Sequence, residues 1–496
     1  MSENRMARLT SMQTQLTAGA STGDGGLSAR ERMASLLDAN SFVELGAYTQ
    51  SPQEDGLNAG VIIGFGTIEG RLVYAFVQDA SVAAGAMNSV AAAKIARVMD
   101  LALQNGAPLL SIMDSAGLKL AEGAMGLDSF ALLLQKRTTL SGVVPQISII
   151  LGPCAGSQAL FPAMGDFIIM SEQKNAKLAT VGTGALVAAG GAKPTVGNAG
   201  MHAESTGLCT IMVETEAQAL ARARELLSFL PENNLTDAPH LSPEDSPVRL
   251  IPELDALADG SSYDDVREIL AAVVDNGAMM ECSPKYATAM VTAFAHVGGT
   301  PVGIVATQRN QGKIGGAACA KTARFVRFCD AFHIPVITFV DSEGFVVDSG
   351  EEQSGLLAKS AGLAFAYAQA VVPKVTVIIG RAIGGAFCVL GARSLGADVV
   401  LAWPNAEIAA MSAEAATAIV GTADIASAAD PVAARAAYAE QYRQTMADPW
   451  TAAKQGVLDD VIAPASTRAV LSNLLMMLMD KRANVVSRKH ANAPLL

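Results

Sequence analysis

Two glycine-rich turns carry the pattern most suited to chemistry in this 496-residue chain. GPCAGSQ spans 152–158 and GRAIGGA spans 380–386. Each follows a β-branched run that reads as a strand and opens a stretch that reads as a helix. The first N–H groups of a helix lack intrahelical acceptors. Glycine lets a ligand come close to the main chain, and the helix dipole adds partial positive charge. Such a turn suits an oxygen that gains negative charge in a transition state, and so forms an oxyanion hole. The competing reading is a tight turn packed in a core, which a single glycine pair would favour. Two such turns at matched positions favour the chemical reading. The candidates are Gly156, Ser157 and Gln158 in the first turn and Gly384, Gly385 and Ala386 in the second.

A second pair of loops, DSAGLKLAEG (114–123) and DSEGFVVDSGEE (341–352), follows an earlier strand in each half. Ligands bind beyond the carboxyl ends of strands in α/β sheets, so these loops are further candidates. Asp114 and Asp341 read as turn or helix caps rather than acids. Lys119 reads either as a phosphate partner or as a solvated surface lysine. Glu122, Glu343 and Glu351 are conceivable general acids or bases, against the ordinary alternative of hydrated loop carboxylates. The chain has no GxxxxGK[ST] loop and no defensible Ser-His-Asp order. Its six cysteines include no CxxC, and its five histidines form no HExxH, so no metal site is expected.

The elements that must hold these loops occur twice. KIARVMDLALQNGAPLLSIMDSAG (94–117) matches KTARFVRFCDAFHIPVITFVDSEG (321–344). Lys94 and Lys321, Pro108 and Pro335, Asp114 and Asp341, and Gly117 and Gly344 all stand 227 residues apart. The run from Val143 pairs with the run from Val371 at 228, and Glu31, Asp38 and Glu44 meet Glu268, Asp275 and Glu281 at 237. This is an internal duplication. In each copy a helix (94–105; 321–332) leads into a buried strand, a loop, a second helix, another buried strand and the glycine turn. Continuous apolar strands alternating with helices predict an α/β fold with covered sheets. The expected divisions are an N-terminal segment 1–27, a domain 28–230, a Pro- and Asn-rich linker 231–261 and a domain 262–496.

Bulk properties agree. A chain this long, 51% hydrophobic and 17% charged, has the apolar content for two cores. A net charge of −12 with no basic stripe argues against nucleic acid. There is no apolar run of about 18 residues to span a membrane and no signal-peptide core. Scattered cysteines suggest a reducing cytoplasm.

The segments SARERMASLLDANSFVEL, GRLVYAFVQD, SGVVPQISIILGPCAG, RFVRFCDAFHIPVITFVD, AYAQAVVPKVTVIIGRAIGGAF, GADVVLAWPNAEIA and RKHANAPL resemble the carboxyltransferase subunits of propionyl-CoA and acetyl-CoA carboxylases. They equally resemble the alpha subunits of methylmalonyl-CoA and glutaconyl-CoA decarboxylases. The resemblance implies two tandem crotonase-like domains per chain and a homo-oligomer, at least a dimer and up to a hexamer, with the active site where two subunits meet. It assigns the acyl-CoA thioester to the N-terminal domain, its oxygen meeting the N–H groups of Ser157 and Gln158 beside Gly156. It assigns biotin to the C-terminal domain, its ureido oxygen meeting Gly385 and Ala386 beside Gly384. Gly117, Lys119, Gly344 and Phe345 fall in its binding loops, and Cys388 falls where the family lines the acyl pocket. No biotin-attachment AMKM motif occurs, so biotin would arrive on a separate carrier protein. Partners would be that carrier and a biotin carboxylase or membrane decarboxylase subunits.

The chain departs from the family at three places. SAGLKLAEG stands for SGGARIQEG, DSEGF for DVPGF, and GSQ for GGA in the first turn. Gln158 adds bulk, and its amide is expected near the substrate. Two other readings remain at this point. A CoA-thioester hydratase or isomerase would need a carboxylate over the α-carbon, for which Glu343 and Glu122 are the only candidates. A non-catalytic structural subunit would have its cleft filled, with Gln158 the residue to fill it.

Overall fold

The computed structural model of the protein describes residues 5–17, 26–51, 58–173, 176–191, 195–258, 262–419 and 422–483. The RKHANAPL segment lies outside the described residues. The chain divides into two compact units, Met1–Asp237 and Ala238–Leu496. Residues 238–258 of the expected linker are built into the second unit. Ile251 and Leu254 are buried in its core, and Arg468 donates to the carbonyls of Asp245 and Ser246.

The first unit holds β1 (Val43–Leu45), β2 (Val61–Ile68), β3 (Arg71–Gln78), β4 (Leu109–Ser115), β5 (Gln146–Ala155), β6 (Phe167–Ser171), β7 (Lys177–Ala179) and β8 (Ile211–Val213). They form one sheet in the order β1-β2-β3-β4-β5-β6-β8, with β7 on the end of β5. The second unit holds β9 (Met279–Cys282), β10 (Met290–Val297), β11 (Thr300–Thr307), β12 (Lys313–Ile314), β13 (Val336–Ser342), β14 (Gly344–Phe345), β15 (Lys374–Ile383), β16 (Val399–Ala402), β17 (Glu407–Ala409) and β18 (Asp460–Val461). Its main sheet runs β18-β16-β15-β13-β11-β10-β9, with β17 on the end of β15, while β12 and β14 pair separately. The two orders are the same, so the duplication legible in the sequence is a duplication of topology. Antiparallel hairpins open each sheet and parallel strands complete it. β4 and β13 are buried along their whole length, as strands covered on both faces must be.

The hairpins show why the repeat keeps its polar residues. β2 and β3 join through Glu69–Gly70, and β10 and β11 through Gly298–Gly299, each pair at positive φ. Two-residue turns of this kind match the strand twist. Asp38 accepts the N–H groups of Glu69 (3.1 Å) and Gly70 (2.9 Å), and Asp275 those of Gly298 (2.8 Å) and Gly299 (2.7 Å). Arg224 pairs with Asp38 and Arg468 with Asp275, each at 2.8 Å.

The helices before β4 and β13 begin earlier than the repeat suggests, at Ser89–Asn105 and Gly316–Ala331. Each carries one buried lysine. Lys94 donates to Val61 O (2.6 Å), and Lys321 donates to Ser283 O, Tyr286 O and Met290 O at 2.8–2.9 Å. These ammonium groups tie helix to hairpin at the same place in both units. Burial pushes both down to about 8.

Candidate active site

In the first unit the register of β4 against β5 shifts between Met113 and Ser115, and β5 then ends at Ala155. The chain turns at Gly156, whose φ of 74° favours glycine. Residues Gly156–Ala159 make one 3-10 turn and Leu160–Ala163 a single helical turn. So short a helix contributes little dipole, and any anion attraction rests on the local N–H groups. Gly156 and Ser157 are half-buried, whereas Gln158 is only 1% exposed. Gly117 (φ 113°) brings the neighbouring loop against the same turn, since a Cβ there would lie 3.8 Å from Ala155 O. Beyond it the half-buried Lys119 holds its main chain on Met87, N–H to carbonyl at 2.9 Å.

The second unit repeats the arrangement. The register shifts between Val340 and Ser342, β15 ends at Ile383, and Gly384 (φ 64°) opens the helix Gly384–Val389. Gly385 is exposed and Ala386 buried. Gly344 (φ 120°) brings its loop to the turn, a Cβ there lying 3.5 Å from Ile383 O. Phe345 lies beside Gly385, where an added Cβ would meet its ring at 3.3 Å. Cys388, on the same short helix, is exposed.

Behind each turn sits a buried carboxylate. The expectation that Asp114 and Asp341 cap turns or helices is corrected by their partners. Asp114 pairs with Arg32 at 2.7 Å, and Arg32 also pairs with Glu216, all three nearly enclosed. Burial opposes the charge on Arg32, yet the two carboxylates raise its guanidinium above the ordinary value. Asp341 accepts from Tyr263 Oη (2.8 Å), Arg381 N (2.9 Å) and Arg381 Nε (3.1 Å). Burial and the adjacent Asp341 push the Tyr263 hydroxyl well up, which keeps it a donor. Both carboxylates need glycine opposite them. A Cβ on Gly152 would lie 1.8 Å from Asp114 Oδ1, and one on Gly380 would lie 2.5 Å from Asp341 Cγ.

Glu122, Glu351 and Glu343, the other candidate acids, are committed too. Glu122 accepts the N–H of Ser89 (2.8 Å) at the start of its helix, and Glu351 accepts that of Gly316 (2.8 Å) at the matched helix. They are helix caps that close in from another loop. Glu343, where proline was the familial residue, pairs with Arg381. No cluster of His, Cys, Asp or Glu suited to a metal occurs among the described residues. No helix among them is long and apolar enough to cross a membrane.

Residues 21–493 match the carboxyl transferase domain family. The chain belongs to that family. This carboxyl transferase is 40% identical to the propionyl-CoA carboxylase beta chain of Saccharopolyspora erythraea, over 95% of this chain and 91% of that one. It is 40% identical to methylmalonyl-CoA decarboxylase subunit alpha of Veillonella parvula, over 95% and 94%. Its identity to the methylmalonyl-CoA carboxyltransferase 12S subunit of Propionibacterium freudenreichii is 38%, over 99% and 97%. A crystal structure of a transcarboxylase 12S hexamer with hydrolysed methylmalonyl-CoA bound superimposes with a TM-score of 0.95 at 38% identity, covering 100% of this chain and 99% of that one. The tandem crotonase-like fold and the carboxyltransferase reading therefore stand. The hydratase reading loses its candidate bases, because Glu122 caps a helix and Glu343 is ion-paired.

Within the carboxyl transferase frame the departures have local explanations. Leu118 packs against Gly126, where a Cβ would sit 2.4 Å from Leu118 Cδ1. The expected contact of the Gln158 amide with substrate is corrected. Its Nε2 donates to Ser115 O (3.0 Å) and its Oε1 accepts from Gln78 Nε2 (3.4 Å), so the side chain points into the protein. Reading the sequence missed Gln78, Arg32, Glu216, Tyr263 and Arg381. Matched glycines at 152 and 380, which leave room for a side chain from the next strand, were the one signal that pointed to the buried carboxylates.

Proposed function

We propose that this carboxyl transferase moves a carboxyl group between carrier-bound biotin and the α-carbon of a short-chain acyl-CoA, with methylmalonyl-CoA the first candidate. What carries the reading is the pair of matched turns, each with glycine at positive φ and main-chain N–H groups at a strand end. The unit built on 28–230 takes the acyl-CoA. Its Ser157 and Gln158 N–H groups, beside Gly156, receive the thioester oxygen as it gains charge. The unit built on 262–496 takes biotin. The cradle suits a flat ureido ring, because Gly385 is exposed and a Cβ there would crowd the Phe345 ring at 3.3 Å. Gly385 and Ala386 N–H groups, beside Gly384, receive the ureido oxygen. Biotin, when docked, supplies the nitrogen that carries the carboxyl group. Each such donor is worth about 10²–10³ in turnover in related oxyanion sites. Gly117 and Gly344 hold the flanking loops against the turns. Lys119 offers a cation on the acyl-CoA side, and Cys388 limits acyl length.

The site is completed in a homo-oligomer, in which the acyl-CoA turn of one subunit meets the biotin turn of another. The implied partners are a biotin carrier protein and either a biotin carboxylase or membrane decarboxylase subunits. A cytoplasmic location goes with this reading. The test is transfer of labelled carboxylate to free biotin from malonyl-, methylmalonyl- and glutaconyl-CoA. Turnover of at least one is expected, and no transfer from any of them would end the proposal.

A further inference from the structure

Where β3 and β11 end, the strand beside each is left with an N–H group that has no ladder partner. Beyond the last pair of β3 with β4, the N–H of Asp114 is held by Gln78 Oε1 at 3.0 Å. Beyond the last pair of β11 with β13, the N–H of Asp341 is held by Thr307 Oγ1 at 2.6 Å. Gln78 ends β3 and Thr307 ends β11, so the two occupy the same place in their units. Threonine finishes that task with one short hydroxyl. Glutamine leaves its amide Nε2 over, and this donates to Gln158 Oε1 at 3.4 Å. Gln158 Nε2 in turn donates to Ser115 O at 3.0 Å. The residue matching Gln158 in the second unit is Ala386, which has nothing to offer such a chain. The exchange is therefore concerted, Gln78 with Gln158 in one unit and Thr307 with Ala386 in the other.

We infer that the Gln78 and Gln158 side chains act as one positioning brace for the acyl-side donors. The Gln158 side chain is anchored inward on β3 and β4, which fixes the orientation of its own N–H and that of Ser157. Removing either amide leaves one atom of the other, Gln78 Nε2 or Gln158 Oε1, buried without its partner. This inference rests on the proposed function for its kinetic reading, though not for its structural one.

The test is a double-mutant cycle. Gln158→Ala keeps the main-chain N–H and removes only the brace. Gln78→Thr keeps an acceptor for Asp114 N–H and removes only the link. Each single variant is expected to lower kcat for carboxyl transfer about tenfold through misplaced donors, with KM for free biotin unchanged. The double variant, which copies the second unit, is expected to lose no more than about the larger single loss, because both changes break the same brace. Two single variants with parental kcat would overturn the inference, as would losses that simply multiply in the double variant. A parent that transfers no carboxylate from any thioester would refute the proposed function instead. Amide exchange at Ser157 and Gln158 then reads the brace: faster in both single variants and no faster in the double variant than in the quicker single one. Additive exchange there would refute the brace on its own terms.

Discussion

Replacing Arg32 by methionine probes the ground on which the first turn stands. Arg32 lies on the short helix Ala29–Leu36, with its side chain 5% exposed. It binds Asp114 at 2.7 Å, 82 residues away, and also Glu216, 184 residues away. Those two carboxylates are 12% and 7% exposed. Methionine fills much of the volume but leaves both acids in the interior without their cation. Breaking a buried pair by removing one partner costs about 3–5 kcal/mol. For a unit of this size that corresponds to a fall of about 6–20 °C in its melting transition. Calorimetry with limited proteolysis of the first unit reads the effect. The triple variant Arg32→Met, Asp114→Asn, Glu216→Gln removes the uncompensated charges, and most of the loss should return. A single variant melting within a degree of the parent, or a triple variant less stable than the single, would refute the reasoning.

Other expectations follow from the same geometry. Gly152→Ala and Gly380→Ala should each destabilise their own unit by about 1–3 kcal/mol or more, because the new Cβ meets a buried, bonded carboxylate; parental melting of both would contradict this. Lys321 has its pKa pushed down to about 8 by burial, while the unfolded chain titrates near 10.4. Between these values the unfolded state binds more protons, so the lysine's contribution to stability rises with pH from about 8 to about 10.4 and is level below. The stability difference between the parent and Lys321→Met should therefore widen over that window, and a constant difference would show that the lysine does not titrate there.

How much was legible depended on the range of the interaction. The duplication was readable because Lys94 and Lys321, Asp38 and Asp275, and the turn glycines each answer a main-chain need that recurs with the topology. Gly156 and Gly384 were readable because positive φ selects glycine in sequence itself. The direction of Gln158 was not, since a side chain on a one-turn 3-10 element points where its partners are, and Gln78 and Ser115 lie on other strands. Glu122 and Glu351 looked like loop acids because the N–H groups they cap are more than thirty residues upstream. Asp114 and Asp341 read as caps from local preference, while their partners Arg32 and Tyr263 come from a distant helix and a distant loop. Local preference gave way there to tertiary charge pairing.

Gly385→Val tests most directly the proposed role of the second glycine turn as receptor for the ureido oxygen. The valine side chain would crowd the Phe345 ring beside the N–H groups of residues 385 and 386. Transfer of labelled carboxylate from methylmalonyl-CoA to free biotin should fall at least about a hundredfold, the scale of a lost oxyanion donor, while binding of the thioester stays near the parental value. Transfer at the parental rate would contradict the assignment, and so would loss of thioester binding with biotin binding intact.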